Sequence, residues 1–165
     1  MHPPMRRDEA EFLRAVHRSR RLHKPWGYPP SDPPAYRFYL RRQRSDRYEG
    51  FLLRAGESSE LVGVVNLNEI TRGALQSAYL GVYALVPFQG QGLMRQGLRK
   101  VLRFAFSSLK LHRLEANIQP ENEPSLRLVR RLGFEREGFS PRYLKIGGRW
   151  RDHERWAIRA ETRTQ

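Results

Sequence analysis

The sequence predicts an α/β protein built on a mixed, mostly antiparallel sheet, and three patterns in its 165 residues carry that reading. First, three β-rich runs follow one another: Tyr48 to Arg54, Glu60 to Asn68 and about Leu75 to Val86. The turn-forming stretches Ala55-Gly56-Glu57-Ser58-Ser59 and Arg72-Gly73 separate them, which reads as an antiparallel meander. Second, Gly92 to Leu109 places apolar residues at 93, 98, 101, 102, 105, 106 and 109, the spacing of a helix with one buried face. Third, Arg113 to Ile118 alternates, with Leu114, Ala116 and Ile118 on one side, and so reads as a strand. A strand reached through a helix commonly runs parallel to the strand before that helix. The strands at about 77–86 and 113–118 are therefore expected to lie parallel.

The remaining elements follow from local chemistry. Asp8 to His23 carries Phe12, Leu13, Val16 and Leu22, with acids at its start and bases at its end, which matches a helix dipole. The proline-rich stretch 24–34 cannot be regular, because proline lacks an amide donor and restricts the residue before it. Ala35 to Gln43 reads as a shorter helix. Asn122 suits an N-cap, Pro124 a first turn and Gly133 a helix stop, so a helix lies between them. Phe134 to Ser140, Tyr143 to Ile146 and Arg149 to Ile158 read as extended, with a two-residue hairpin turn at Gly147-Gly148. No repeat appears, and residues 1–165 are expected to form a single domain.

Composition narrows the function. Hydrophobic residues make up 39% and aromatics 11%, too many for a disordered chain. No apolar run approaches the roughly 18 residues of a membrane span. Met1 to Arg7 lacks the apolar stretch of a secretory signal, so a cytoplasmic protein with no membrane partner is expected. The sequence has no cysteine, which removes disulfides, thiolate metal sites and any acyl group carried on an enzyme thiol. Its five histidines show no ligand spacing, so no metal is expected. Basic side chains outnumber acidic ones 31 to 17, a formal charge of +14 that attracts polyanions. Much of that charge lies in periodic segments such as Leu98 to Arg103, which read as solvated helix faces. Direct nucleic-acid binding is therefore expected to be nonspecific at most.

The informative stretch is Val86-Pro87-Phe88-Gln89-Gly90-Gln91-Gly92-Leu93-Met94. A strand ends, a glycine-rich turn follows and a long helix begins, so free N–H groups and the positive helix end converge on an anion site. Without a Cβ, Gly92 lets a phosphate approach those amides. A Gly-x-Gly turn before a helix is equally compatible with a plain tight turn. A P-loop is excluded by the missing Gly-Lys-Ser/Thr ending. A dinucleotide fold would place the turn after the first strand of a parallel unit, whereas here it follows a meander in mid-chain.

Gln89-x-x-Gly92 in this setting resembles the pyrophosphate loop of the GNAT acetyltransferases, Gln/Arg-x-x-Gly-x-Gly/Ala. Further stretches resemble the RimJ/RimL branch, the ribosomal-protein-alanine acetyltransferases. They are Leu22-x-Lys24-Pro25-Trp26, Arg72-Gly73, Tyr79-Leu80-Gly81, Gly92-Leu93-Met94, Ala116-Asn117, Asn122-x-x-Ser125, Leu132-Gly133-Phe134, Glu137-Gly138 and Trp150-Arg151-Asp152-His153. The resemblance runs from about residue 22 onward and implies the GNAT fold, in which the two central parallel strands splay apart. It implies acetyl-CoA as cofactor, with Tyr83, Ala84, Leu85 and Val86 along the pantetheine arm. Gln89, Gly90, Gln91, Gly92, Leu93 and Met94 would surround the pyrophosphate, and Asn122 and Ser125 would also meet the coenzyme. GNAT chains usually begin with a strand, and only Met1 to Arg7 precede Asp8. That strand is expected to be short or missing, or the chain to begin late.

Acetyl transfer from a thioester to an amine requires a neutral amine, a donor for the developing oxyanion and a proton for the departing thiolate. An α-amino group titrates near ~8, so a modest base or a water chain suffices. The resemblance implies a backbone N–H near Ala84 or Leu85 as the oxyanion donor. It implies Ser125 as the hydroxyl facing the sulfur, since Val129 stands where many relatives carry a tyrosine; a helix-start serine equally suits capping. Glu137 is the first candidate for the base and Glu69 the second, each also readable as a salt-bridged surface carboxylate. His112 and His153 are further proton acceptors, with Asp152-His153 placed to anchor the last hairpin. Arg95, Arg127, Arg130 and Arg131 are candidates for the 3′-phosphate, and Trp26, Tyr28 and Tyr36 for the acceptor wall or the core.

A ribosomal-protein N-terminus or the ribosome is the expected partner of a monomer or homodimer. A small amine, such as a polyamine, aminoglycoside or amino-acid analogue, is the alternative. A peptide would lie in a groove walled by the proline-rich segment 24–34 and the Gly147-Gly148 hairpin. A scaffold that binds coenzyme A without turnover, and a nucleic-acid module supported by charge alone, complete the readings.

Overall fold

The computed structural model describes residues 1–56 and 59–163; Glu57 and Ser58 of the expected hairpin turn lie outside the described residues. Its strands are β1 (Tyr48–Arg54), β2 (Leu61–Thr71), β3 (Ser77–Ala84), β4 (Arg113–Ile118), β5 (Glu135–Ile146) and β6 (Arg149–Arg159). Its helices are α1 (Glu9–Arg18), α2 (Arg20–His23), α3 (Pro33–Arg42), α4 (Leu93–Ser107) and α5 (Glu123–Arg131). The strands form one sheet in the order β1-β2-β3-β4-β6-β5, antiparallel throughout except for β3 and β4.

That parallel pair holds only at Ser77↔Arg113, Ala78↔Leu114 and Tyr79↔Glu115. Beyond Tyr79 and Glu115 the strands separate, while β3 stays paired with β2 as far as Ala84 and β4 with β6 as far as Ile118. The mostly antiparallel sheet with splayed central strands is the fold that the resemblance implied.

Strand alternation sends neighbouring residues to opposite faces. Val65, Leu67, Leu114 and Ala116 pack under α4 and α5, against Leu98, Val101, Leu126 and Val129. Leu52, Val64 and Leu85 pack on the other face with Phe12, Val16, Tyr36 and Tyr39 of α1 and α3. In place of a first strand, His2 alone bridges Leu52, exchanging two backbone hydrogen bonds of 3.1 and 2.8 Å.

The helix expected over 8–23 breaks at Ser19, which is fully buried. Its hydroxyl donates to Ala15 O (2.7 Å) and accepts the Val86 N–H (3.0 Å), so the break ties the helices to the end of β3. The two expected extended runs after Phe134 are one strand, β5, whose register shifts between Ser140 and Leu144. There Arg142 takes a φ of 48°, and its N–H donates to the Asp152 carboxylate at 2.7 Å. Gly147 and Gly148 both have positive φ, 57° and 79°, as a tight two-residue hairpin turn requires.

Two glycines bring α4 close to the sheet. A Cβ on Gly63 would overlap the Met94 sulfur, and one on Gly97 would overlap the Leu53 side chain. Leu53 is buried and cannot swing away into solvent. Gly97→Val is therefore expected to destabilise the fold by about 1–3 kcal/mol, read as a lowered urea midpoint with an unchanged m-value.

A cleft at the splayed strands

Backbone geometry builds the anion end of the site. Gly90 and Gly92 have φ of 80° and 79°, a conformation that side-chain-bearing residues rarely adopt. A Cβ on either would meet nothing within 4 Å, so the space beside both residues is open. Gly92 is the N-cap of α4 and no side chain caps it; the first intrahelical bond runs from Gln96 N–H to Gly92 O at 3.1 Å. The first turn of α4 has no acid, so its free amides and the positive end of the helix dipole remain available to an anion.

From this loop a cleft of about 980 Å³ runs along the splay, and residues from both faces of the sheet line it. Gln89, Gly90, Gly92, Asn122 and Ser125 stand toward α4 and α5, and Trp26, Tyr28, Phe38, Asn66 and Asn68 toward the proline-rich segment and α3. Leu85 N–H bonds to Val62 O at 3.0 Å. By antiparallel alternation, Val82 and Ala84 then turn their N–H and C=O groups away from β2, toward the splay. Ala84 O is met there by His23 Nε2 at 2.8 Å. The buried acceptors His23 Nδ1, Gln43 Oε1 and Asn117 Oδ1, all on lining residues, have no donor among the described residues. Buried acceptors of this kind suit a ligand carrying N–H groups.

The expected coenzyme residues divide. Tyr83, Ala84, Gln89, Gly90, Gly92, Met94, Asn122 and Ser125 line the cleft. Leu85 is buried in the core, and Val86 gives its N–H to Ser19. The Gln91 side chain folds back onto Pro87 O at 2.9 Å, and Leu93 packs against the core under α4. Asn122 Oδ1 accepts the Ser125 N–H at 3.3 Å. The cap is thus Asn122, and the Ser125 hydroxyl is not required for that task.

Neither expected carboxylate lies in the cleft. Both oxygens of Glu137 are held by the Arg113 guanidinium, which keeps its carboxyl below the usual range, and Arg159 adds a contact at 3.4 Å. Glu69 is bonded by Arg47 and by the Tyr48 hydroxyl. His112 is exposed, 3.6 Å from Glu161. His153 does line the cleft; its Nδ1 lies 3.0 Å from Arg151 O, which places the ring proton there and leaves Nε2 with its lone pair. Burial pushes the His153 pKa down and favours the neutral ring.

Arg95, Arg127 and Arg131 border the cleft, whereas Arg130 stacks over Trp156 at 5.2 Å. Trp26 and Tyr28 line the cleft; Tyr36 belongs to the core, its hydroxyl on Met5 O at 2.9 Å. The two expected walls of the peptide groove meet, because the Tyr28 hydroxyl rests against Gly147. His23, Asn66 and Asn117 were not singled out from sequence. His23 and Asn117 sit inside stretches quoted for the resemblance, and only tertiary contact distinguishes them from their neighbours.

The GNAT acetyltransferase domain model matches residues 1–135, and the chain belongs to that family. The [ribosomal protein uS5]-alanine N-acetyltransferase of Escherichia coli (strain K12) is 40% identical over 97 residues, 59% of this chain and 50% of that enzyme. The chain therefore spans only about half the length of that curated relative. The spermidine N(1)-acetyltransferase of the same organism is 29% identical over 103 residues, 62% of this chain and 53% of that enzyme. Among solved structures, Mycobacterium smegmatis RimJ in complex with CoA-disulfide superposes with a TM-score of 0.89 at 31% identity, covering 99% of this chain and 83% of that one.

If the loop amides hold a diphosphate, a side chain at 92 both strains a φ of 79° and fills the open space beside it. Gly92→Val is expected to lose at least roughly tenfold in coenzyme A affinity by calorimetry while keeping a native circular-dichroism spectrum. Such a loss is about 1.4 kcal/mol.

Proposed function

We propose that this protein transfers an acetyl group from acetyl-coenzyme A directly to a primary amine, and that the amine is the N-terminal alanine of a ribosomal protein. The observation that carries this reading is the lining of the cleft. Its acceptor side presents Trp26, Tyr28, Phe38, Asn66 and Asn68, and no Asp or Glu lines any part of it among the described residues. A polycationic amine such as spermidine calls for carboxylates to balance its charges, since an unpaired buried charge is costly. A protein N-terminus brings one amine and a peptide backbone, which neutral amides and aromatic faces satisfy.

The coenzyme, when bound, supplies the thioester that is the acyl donor. The residues present suit it. The Gln89–Met94 amides and Arg95, Arg127 and Arg131 match its phosphates, and the outward-facing edge of Val82 offers main-chain partners for its amide arm. The Ala84 N–H, facing the splay, donates to the developing oxyanion; Leu85 N–H is already committed to Val62. The Ser125 hydroxyl donates to the departing sulfur. His153 Nε2, directly or through water, receives the proton released by the amine. With no cysteine in the sequence, no acyl-thiol intermediate is formed on the enzyme.

Two outcomes are expected. Ser125→Ala lowers kcat while leaving coenzyme A affinity nearly intact, the signature of an interaction made mainly in the transition state; wild-type turnover would return Ser125 to a structural role. A peptide beginning with alanine exceeds spermidine or an aminoglycoside in kcat/KM by roughly a hundredfold or more, a discrimination of about 2.7 kcal/mol. A preference for spermidine would remove the ribosomal-protein substrate and leave acetyl transfer to a small amine.

A further inference from the structure

The segment leading from α1 into the proline-rich loop touches the sheet at three points around the splay. Ser19 Oγ accepts the Val86 N–H at 3.0 Å, just past the end of β3. His23 Nε2 meets Ala84 O at 2.8 Å on the same lip. Trp26 O accepts from Gln119 Nε2 at 3.4 Å on the opposite lip, one residue beyond β4. The turn between the last two contacts is tight, with both Trp26 N–H and Gly27 N–H donating to His23 O at 2.7 and 3.1 Å. Beyond Tyr79 and Glu115 no ladder joins β3 to β4, so the sheet itself does not fix the width of the gap. The 23–26 turn spans it.

We propose that His23 is a positioning residue for acyl transfer. Acting through the Ala84 carbonyl, it fixes the Ala84 edge that faces the thioester, and together with Trp26 it sets the separation of the splayed strands. This rests on the acetyl-transfer reading above. In an extended strand the N–H and C=O of one residue point to the same side. The Ala84 N–H therefore opens into the gap beside the imidazole. Engagement of Ala84 O by the ring N–H also draws off the carbonyl charge that would oppose an oxyanion at the neighbouring N–H. His23 is only 6% exposed, and the Tyr83 ring stands edge-on to it at 5.4 Å. The burial that favours a neutral ring leaves a single ring proton, and the Ala84 carbonyl selects Nε2 to carry it.

The test compares His23→Ala, His23→Gln and Gln119→Ala with the wild type. The readouts are acetyl transfer to an alanine-terminated peptide across pH, calorimetric coenzyme A affinity and circular dichroism. A glutamine amide reaches about as far as Nε2 and restores the donor without a titrating ring. His23→Ala should lose roughly 10²-fold in kcat, the scale of a 1 Å misplacement, with coenzyme affinity little changed. His23→Gln should recover most of that loss with a wild-type pH profile, and Gln119→Ala should show a smaller loss of the same kind.

Wild-type kcat in a folded His23→Ala protein overturns the proposal. So does a His23→Gln protein as slow as His23→Ala that has also lost the acid limb of the pH profile, which would make His23 the proton acceptor. If His23→Ala does not fold, wild-type kcat in Gln119→Ala overturns it. A wild type that binds coenzyme A yet acetylates neither peptide nor spermidine takes down the acetyl-transfer reading along with this one. Failure confined to the variants removes the positioning role alone.

Discussion

Everything in the site depends on a parallel pairing that stops early. β3 and β4 share three residue pairs and then part, although each keeps its outer neighbour for its remaining length. The outer ladders satisfy half of the backbone groups on each diverging strand and leave the inner edges of Val82 and Ala84 without strand partners. Unpaired main-chain groups at the edge of a core are costly unless something meets them. Here the cost is reduced by His23, whose Nε2 donates to Ala84 O. The rest of the inner edge is open to a ligand with its own amides.

The same constraint explains where the charges lie. Several acids of the sheet are engaged in pairs: Glu137 and Glu115 with Arg113, Glu135 with Arg159, and Glu154 with Arg136. Asp8 and Glu11 converge on Arg54, binding the N-terminal turn to β1. The sheet pairs lie on β4, β5 and β6, the N-terminal pair joins the first helical turns to β1, and none of these acids lines the cleft. The splay keeps amides, aromatics, two neutral histidines and arginines. The division is electrostatic. A cleft shaped to receive a polyanionic cofactor gains from flanking guanidinium groups and loses from carboxylates.

Much of this was legible in the sequence, and what was missed has a common cause. β1, β4 and the start and stop of α5 fall where period, capping and turn chemistry put them, because those signals are local. The turn at Gln89–Gly92 was readable because a strand end, two glycines and a helix start are contiguous. Glu137 was a candidate by its place in the resemblance and Glu69 by its place near a strand end; the ion-pair alternative could not be decided locally, because Arg113 and Arg47 lie 24 and 22 residues away. His23 meets Ala84 across 61 residues, a contact that no periodicity announces. The break at Ser19 was hidden for the same reason, since its hydroxyl serves Ala15 within the helix and Val86 far beyond it. Segment 24–34 and the Gly147-Gly148 hairpin read from the sequence as two walls of an open groove, whereas Tyr28 closes onto Gly147, a tertiary contact that no local pattern announces.

The close seating of α4 has a thermodynamic side. Gly63 receives Met94 and Gly97 receives Leu53, so the first turns of the helix are locked onto β2 and β1 by side chains in contact with the core. The amides of the anion loop are thereby held in place by the same packing that forms the hydrophobic interior. Ordering a loop costs roughly 1–2 kcal/mol per residue in backbone entropy. Because that ordering belongs to folding, a phosphate reaching these amides meets a preorganised surface. The free energy of the encounter is then free to appear as affinity.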